Sequence, residues 1–184
     1  MGREKIMIML ADGFEEVEAL TAVDLLRRAG VDAVTVSIMR KREVTGSHGI
    51  PVIADILFED ADFDEVKLIV LPGGMPGTTN LLKYEPLTRI LKQFAAEDRP
   101  LAAICAAPMV LAAHGILEGR KATIYEGMEA NLKGAVHTPG KVVRDGNIIT
   151  SKGPGTAMDF ALSLIGFLCG EAKASEVAAG LLYK

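Results

Sequence analysis

The chain has 184 residues, 49% hydrophobic and 24% charged, with a formal net charge of −4. That length suits one compact domain with a sizeable core, and residues 1–184 read as a single unit without a linker, low-complexity tract or internal repeat. The acidic balance argues against a general nucleic-acid binder, and no apolar stretch reaches the roughly 18 residues needed to cross a bilayer. The start, "MGREKIMIMLADG", lacks the cleavage-site pattern of a signal peptide. The expectation is a cytoplasmic protein with neither nucleic acid nor a membrane as partner.

In chain order, "KIMIML" (5–10) is a short apolar run that suits a buried strand, broken by Gly13. "EEVEALTAVDLLRRAG" (15–30) has helical spacing, acids in its first turn, arginines in its last and Gly30 as a stop. "AVTVSI" (33–38) reads as a strand, "GIPVIADILF" (49–58) as one strand or two short ones with Pro51 at an edge, and "KLIVLPGG" (67–74) as a buried strand ending in a glycine turn. Residues 81–98 read as helix with a fresh start near Pro86. "PLAAIC" (100–105) is a third buried strand, followed by a helix over 106–114. "KATIY" (121–125) is strand-like, and "KVVRDGNIITS" (141–151) is a hairpin around Asp145-Gly146-Asn147. Two helices finish the chain, over 153–170 and 171–183. Strands alternating with helices imply an α/β sandwich of three layers, a mostly parallel sheet with helices on both faces.

Two cysteines, Cys105 and Cys169, are too few for a secreted disulfide scaffold, and no CxxC or Cys/His cluster has zinc spacing. No metal is therefore expected. Cys169 sits near the end of an apolar helical pattern, where a small buried side chain is the plain reading. Cys105 stands at the corner between a strand and a helix. Open parallel sheets collect ligands at the carboxyl ends of their strands, and a sharp strand-to-helix turn can hold a nucleophile up at the sheet edge. Ala103, Ala106 and Ala107 are small enough for such a turn, and Pro108 fits a first helical turn. A helix N-terminus there would lower the thiol pKa. Backbone N–H groups of the turn, with those of Gly73 and Gly74, could receive an oxyanion. Spacing alone leaves open the alternative that Cys105 merely ends a strand.

The first helix carries three glutamates. Glu18 shares a face with Ala22, Leu25 and Ala29, where a carboxylate is costly unless paired or protonated. A raised pKa would make it a proton donor near neutral pH. Glu15 lies near Ala19, Ala22 and Leu26 and has a plainer role as a helix-start charge. Glu16 reads as a solvated first-turn acid.

"LADGFEEVEA" (10–19), "LPGG" (71–74), "AAICAAP" (102–108) and "TSKGPGTAMDFAL" (150–162), in this order and spacing, resemble the ThiJ/PfpI superfamily, above all its Parkinson-associated deglycase (DJ-one-like) branch. The resemblance spans nearly the whole chain. It implies a single flavodoxin-like, class I glutamine amidotransferase-like domain, a homodimer, and no metal or dissociable cofactor. It implies that Cys105 is the reactive elbow cysteine, that Glu18 hydrogen-bonds to it, and that Gly73, Gly74 and Ala106 offer N–H groups to a bound oxyanion. The protease-like branch has histidine directly after the nucleophile, where this chain has Ala106. The deglycase branch often has histidine where this chain has Tyr125, a poor general base at pH 7. His48 falls where close relatives carry an arginine near the dimer interface. His114 is expected on the helix after the elbow and His137 in a loop, neither with a role. "GPGT" (153–156) lacks the Lys-Ser/Thr of a phosphate loop and reads as a helix start capped by Thr156.

The function implied is a cysteine-dependent glyoxalase or deglycase acting on a small carbonyl substrate, with Glu15, Tyr125 and His48 as a supporting shell. The alternatives are an oxidation sensor or stress chaperone acting through Cys105, a cysteine peptidase, which Ala106 weakens, and thiazole-phosphate biosynthesis, for which no phosphate cradle speaks.

Overall fold

A parallel strand covered on both faces must be largely apolar, and β1 (Lys5–Leu10) meets that demand from Ile6 onward, with Lys5 partly exposed at its start. Ile6, Ile8 and Leu10 face one core layer and Met7 and Met9 the other. The same alternation sends Leu68 and Val70 to the first layer and Ile69 and Leu71 to the second along Val66–Leu71. The computed structural model describes residues 5–183, so the first four residues of the N-terminal stretch read above lie outside it.

After β1 come α1 (Glu16–Arg28), β2 (Asp32–Ser37), β3 (Glu43–Thr45), β4 (Pro51–Ile53), β5 (Ile56–Leu57) and β6 (Val66–Leu71). Then follow α2 (Gly77–Lys83), α3 (Glu85–Ala96), β7 (Leu101–Ile104) and α4 (Pro108–Ala113). β8 (Lys121–Ala122), β9 (Val136–His137), β10 (Val142–Asp145), β11 (Ile148–Ser151), α5 (Ala157–Cys169) and α6 (Glu171–Gly180) complete the order. Seven strands form the central sheet in the order β10-β11-β7-β6-β1-β2-β5, every pair parallel except the β10–β11 hairpin. Helices α1, α5 and α6 bury their apolar stripes on one face; α2, α3 and α4 cover the other. This is the three-layer α/β sandwich that the alternating pattern predicts. The chain builds outward from β1 to β2 and β5, then returns to lay β6, β7 and β11 on the other side. The reversal falls between β1 and β6, whose carboxyl ends open the crevice where such sheets hold ligands.

Several expected boundaries shift. The helix expected over 81–98 is two, α2 and α3, because Tyr84 adopts an extended backbone and Pro86 sits in the first turn of α3. The helix after the elbow is shorter than expected, six residues against the predicted 106–114, with His114 at its cap. The run 49–58 yields two short strands and a 3-10 turn (Phe58–Asp60). Only Lys121–Ala122 of 121–125 is strand, and it pairs with a strand holding His137, which had been expected in a loop. The short hairpin β3–β4 was not foreseen at β3; Pro51 lies in it opposite Thr45. Cys169 is exposed rather than buried. It continues the 157–161–165 face of α5 by spacing, but the buried stripe ends at Ile165, one turn before the helix does.

Candidate active site

Three strand ends meet at the crevice. β1 leads into Asp12-Gly13, β6 into Pro72-Gly73-Gly74, and β7 into Cys105. Cys105 has φ 63°, the left-handed region that costs an L-residue roughly 1–2 kcal/mol. The strain is held by its backbone on both sides: its N–H donates to the Ser151 carbonyl at 2.9 Å, and its carbonyl accepts from the Tyr125 N–H at 2.9 Å. The chain turns through Ala106 and Ala107, both buried, before α4 begins. Small side chains are needed here because the turn sits against the β6 loop. A Cβ on Gly73 would lie 2.6 Å from the Cys105 Cβ and 2.8 Å from Glu18 Oε2. Gly74 is at φ +89°, where any Cβ would also strike the backbone of Glu15.

Glu18 reaches this point from the buried face of α1, 1% exposed. Its Oε2 accepts the Gly73 N–H at 2.8 Å. Its Oε1 is buried with no donor in good hydrogen-bonding geometry, and the Cys105 thiol acts on the carboxyl group. Burial pushes the Glu18 carboxyl up to about 7, against the lowering effect of the thiol and the Gly73 N–H, with the Glu15 charge adding to the rise.

The thiol runs opposite to the expectation of a lowered pKa. Burial, then the charge and hydrogen bond of Glu18, push Cys105 up to about 12, outweighing the N–H groups of Ala106 and Gly74. The reason is structural: the sulfur is largely buried and a buried carboxylate stands beside it, and α4, which begins only at Pro108 and has six residues, does not offset them. The carboxyl and the thiol titrate as a pair. When Glu18 holds a proton, its raising effect on the sulfur disappears and it becomes a donor to a thiolate. Ala106 and Gly74, expected to offer N–H groups to a bound oxyanion, direct them here to the sulfur. Gly73 does not, because Glu18 has already engaged its N–H. Among the described residues no histidine acts on the thiol; His114 instead bonds Thr88 at 3.1 Å.

Tyr125 is half exposed beside the elbow, its ring lying over Gly153, where a Cβ would stand 3.2 Å from the ring. It forms one wall of a cavity of about 240 Å³ with Lys152 and Pro154. Pro154 also borders a second cavity of about 500 Å³, lined by Glu15, Glu16, Val17, His48 and Ile50. Thr156 closes the 153–156 turn by accepting from the Gly153 N–H, which agrees with a helix start rather than a phosphate loop.

Glu16 corrects the sequence reading most sharply. It is 4% exposed, not solvated. The loop Gly46-Ser47-His48-Gly49 folds over it: the N–H groups of His48 (2.8 Å) and Ile50 (3.4 Å) donate to its Oε1, and His48 Nδ1 meets Oε2 at 2.9 Å. Burial alone would raise this carboxyl, but these donors hold it down near 2. The "SHG" turn was the available signal, yet nothing in the sequence paired it with α1. Glu15 is the extended residue that caps α1 just before Glu16, and its carboxylate lies 3.6 Å from His48 Nδ1.

The DJ-1/PfpI family matches residues 4–166. The chain is 37% identical over 182 residues to Arabidopsis thaliana protein DJ-1 homolog B, covering 98% of this chain but 42% of that one, so it spans about two-fifths of that relative's length. It is 35% identical over 153 residues to the deglycase TK1284 of Thermococcus kodakarensis, with 82% and 91% of the two chains covered. The solved structure of oxidized Toxoplasma gondii DJ-1 superposes with a TM-score of 0.94 at 38% identity over 98% of each chain. A family match over most of the chain, with relatives of this identity, shows that the chain belongs to the DJ-1/PfpI family.

Proposed function

We propose that the protein converts small 2-oxoaldehydes such as methylglyoxal and glyoxal to hydroxy acids by a cysteine-dependent route. The observation that carries this reading is a buried carboxyl poised near 7 against a strained, half-buried cysteine. A relative named a deglycase supports carbonyl chemistry of this kind.

In the proposed sequence the Cys105 sulfur adds to the aldehyde carbon as Glu18 takes the thiol proton. The alkoxide of the hemithioacetal receives that proton back. Glu18 then removes the C1 hydrogen as a proton, and the electron pair moves onto the C2 carbonyl, whose oxygen takes up a proton to give an enediol. Protonation at C2 as the C1 hydroxyl gives up its proton leaves a 2-hydroxyacyl thioester. Water hydrolyses the thioester, releasing lactate or glycolate and restoring the thiol. The aldehyde carbon is oxidised and its neighbour reduced, so no external oxidant enters. A carboxyl near 7 serves as acid and base in turn, and the N–H groups of Gly74 and Ala106 stabilise the negative charge. Lactate formation from methylglyoxal without glutathione tests the reading: wild type produces it and Cys105→Ser falls to background while keeping its thermal midpoint. Lactate from the serine variant would end the proposal.

Oxidation sensing is the second reading, favoured by a thiol that is not fully buried and by a relative crystallised in an oxidized form. Mass spectrometry after peroxide would give a sulfinate at Cys105; a thiol that stays reduced would exclude it. Both cysteines are thiols, which suits the cytoplasm. Val17, Leu20 and Ile50 are exposed apolar side chains, which we assign to contact with a second copy, tested by sedimentation mass.

A further inference from the structure

We propose that Glu15, Glu16 and His48 form a binding site for a zinc-class transition-metal ion, with the Ser47 hydroxyl or a water as fourth ligand. Their ligand atoms all lie within 4.8 Å of one another. Ser47 Oγ stands 3.2 Å from Glu15 Oε2, 3.3 Å from Glu16 Oε2 and 3.1 Å from His48 Nδ1. His48 Nδ1 stands 2.9 Å from Glu16 Oε2 and 3.6 Å from Glu15 Oε2. Four nitrogen or oxygen ligands at about 2.0–2.1 Å around a tetrahedral ion are separated by about 3.3 Å. These five separations, 2.9–3.6 Å, bracket that value, and the two carboxylates are within 4.8 Å of each other.

The site is also braced from behind. Oε1 of Glu16 is held by the N–H groups of His48 and Ile50, which leaves Oε2 turned to the other donors. Such orientation of a ligand by its outer partners is what metal sites use. Gly46 makes it possible, since a Cβ there would overlap the Glu16 carboxylate. Both glutamates are nearly covered, whereas the His48 side chain is 68% exposed and rims the 500 Å³ cavity, whose Val17 and Ile50 belong to the face assigned above to a second copy. Two carboxylates and a neutral imidazole balance a divalent charge. An imidazole with so few oxygens favours zinc over calcium or magnesium, which need six or more oxygen ligands.

The rival is a histidine–carboxylate ion pair with no metal affinity. Calorimetric titration of zinc chloride into the full chain carrying Cys105→Ser and Cys169→Ser, so that no thiol contributes, separates the two. The proposal expects one zinc per chain. Binding is lost in Glu15→Gln and in His48→Ala and kept in Ser47→Ala, where water takes the fourth place. Circular dichroism checks that each variant is folded, and cobalt loading gives the strong visible bands of four-coordinate geometry. Absence of zinc heat, or equal binding by the Glu15 and His48 variants, would overturn it.

Discussion

Two glutamates two residues apart on α1 are both buried, yet they are driven to opposite charge states. Glu16 is surrounded by donors from the 46–50 loop and held near 2; Glu18 has one backbone donor and a thiol, and rises to about 7. Burial penalises both charges; the number of donors that meet each carboxylate decides the outcome. The same helix turn thus supplies a permanent anion that fastens a loop and a carboxyl able to change its proton at neutral pH.

The contrast is most strongly tested at Glu18. Glu18→Gln keeps an acceptor for Gly73 but cannot carry a proton, so lactate formation falls by about 10²–10⁴-fold, measured as kcat/KM. Stability moves the other way. A carboxyl raised from 4.5 to about 7 costs the folded state stability as pH climbs through that window, at most about 3 kcal/mol. The glutamine variant therefore melts above wild type at pH 8, and the gap closes toward pH 4. Gly73→Ala attacks the junction itself. Its Cβ meets both Cys105 and Glu18, so denaturant unfolding shows a loss of about 1–3 kcal/mol, with activity reduced.

Glu16→Gln sharpens the other side. A carboxyl lowered from 4.5 to about 2 contributes stability that is present above pH 4.5 and lost as pH falls toward 2. The variant loses about 2 kcal/mol in urea unfolding at pH 7, less than a fully enclosed pair because His48 is largely exposed. The smallest effect is expected at Tyr125. Tyr125→Phe keeps the ring over Gly153, and the lactate rate stays near wild type; a large fall would give the phenol a part in proton transfer.

The sheet was legible because it rests on local signals, continuous apolar strands broken by glycine turns, whereas spacing left the elbow at Cys105 open and the family resemblance decided it. Helical spacing placed Glu18 on a buried face; its pairing with Cys105 came from the resemblance. The opposite protonation of Glu16 was not legible, since its donors come from a loop about thirty residues away in sequence. Nor was the raised thiol, because burial and a neighbouring carboxylate outweigh the dipole that the strand-to-helix corner suggests. Gly73 was expected to offer its N–H to an oxyanion, but that N–H serves the carboxyl and the missing side chain makes room for the cysteine.

The most direct test is to follow both side-chain carboxyl carbons by NMR across pH 2–9 in the wild-type protein. The account predicts a midpoint near 7 for Glu18, shifted in Cys105→Ser, and a Glu16 signal that stays ionised until about 2. Two midpoints close to the ordinary value of 4.5 would contradict it, and would remove Glu18 as the proton carrier.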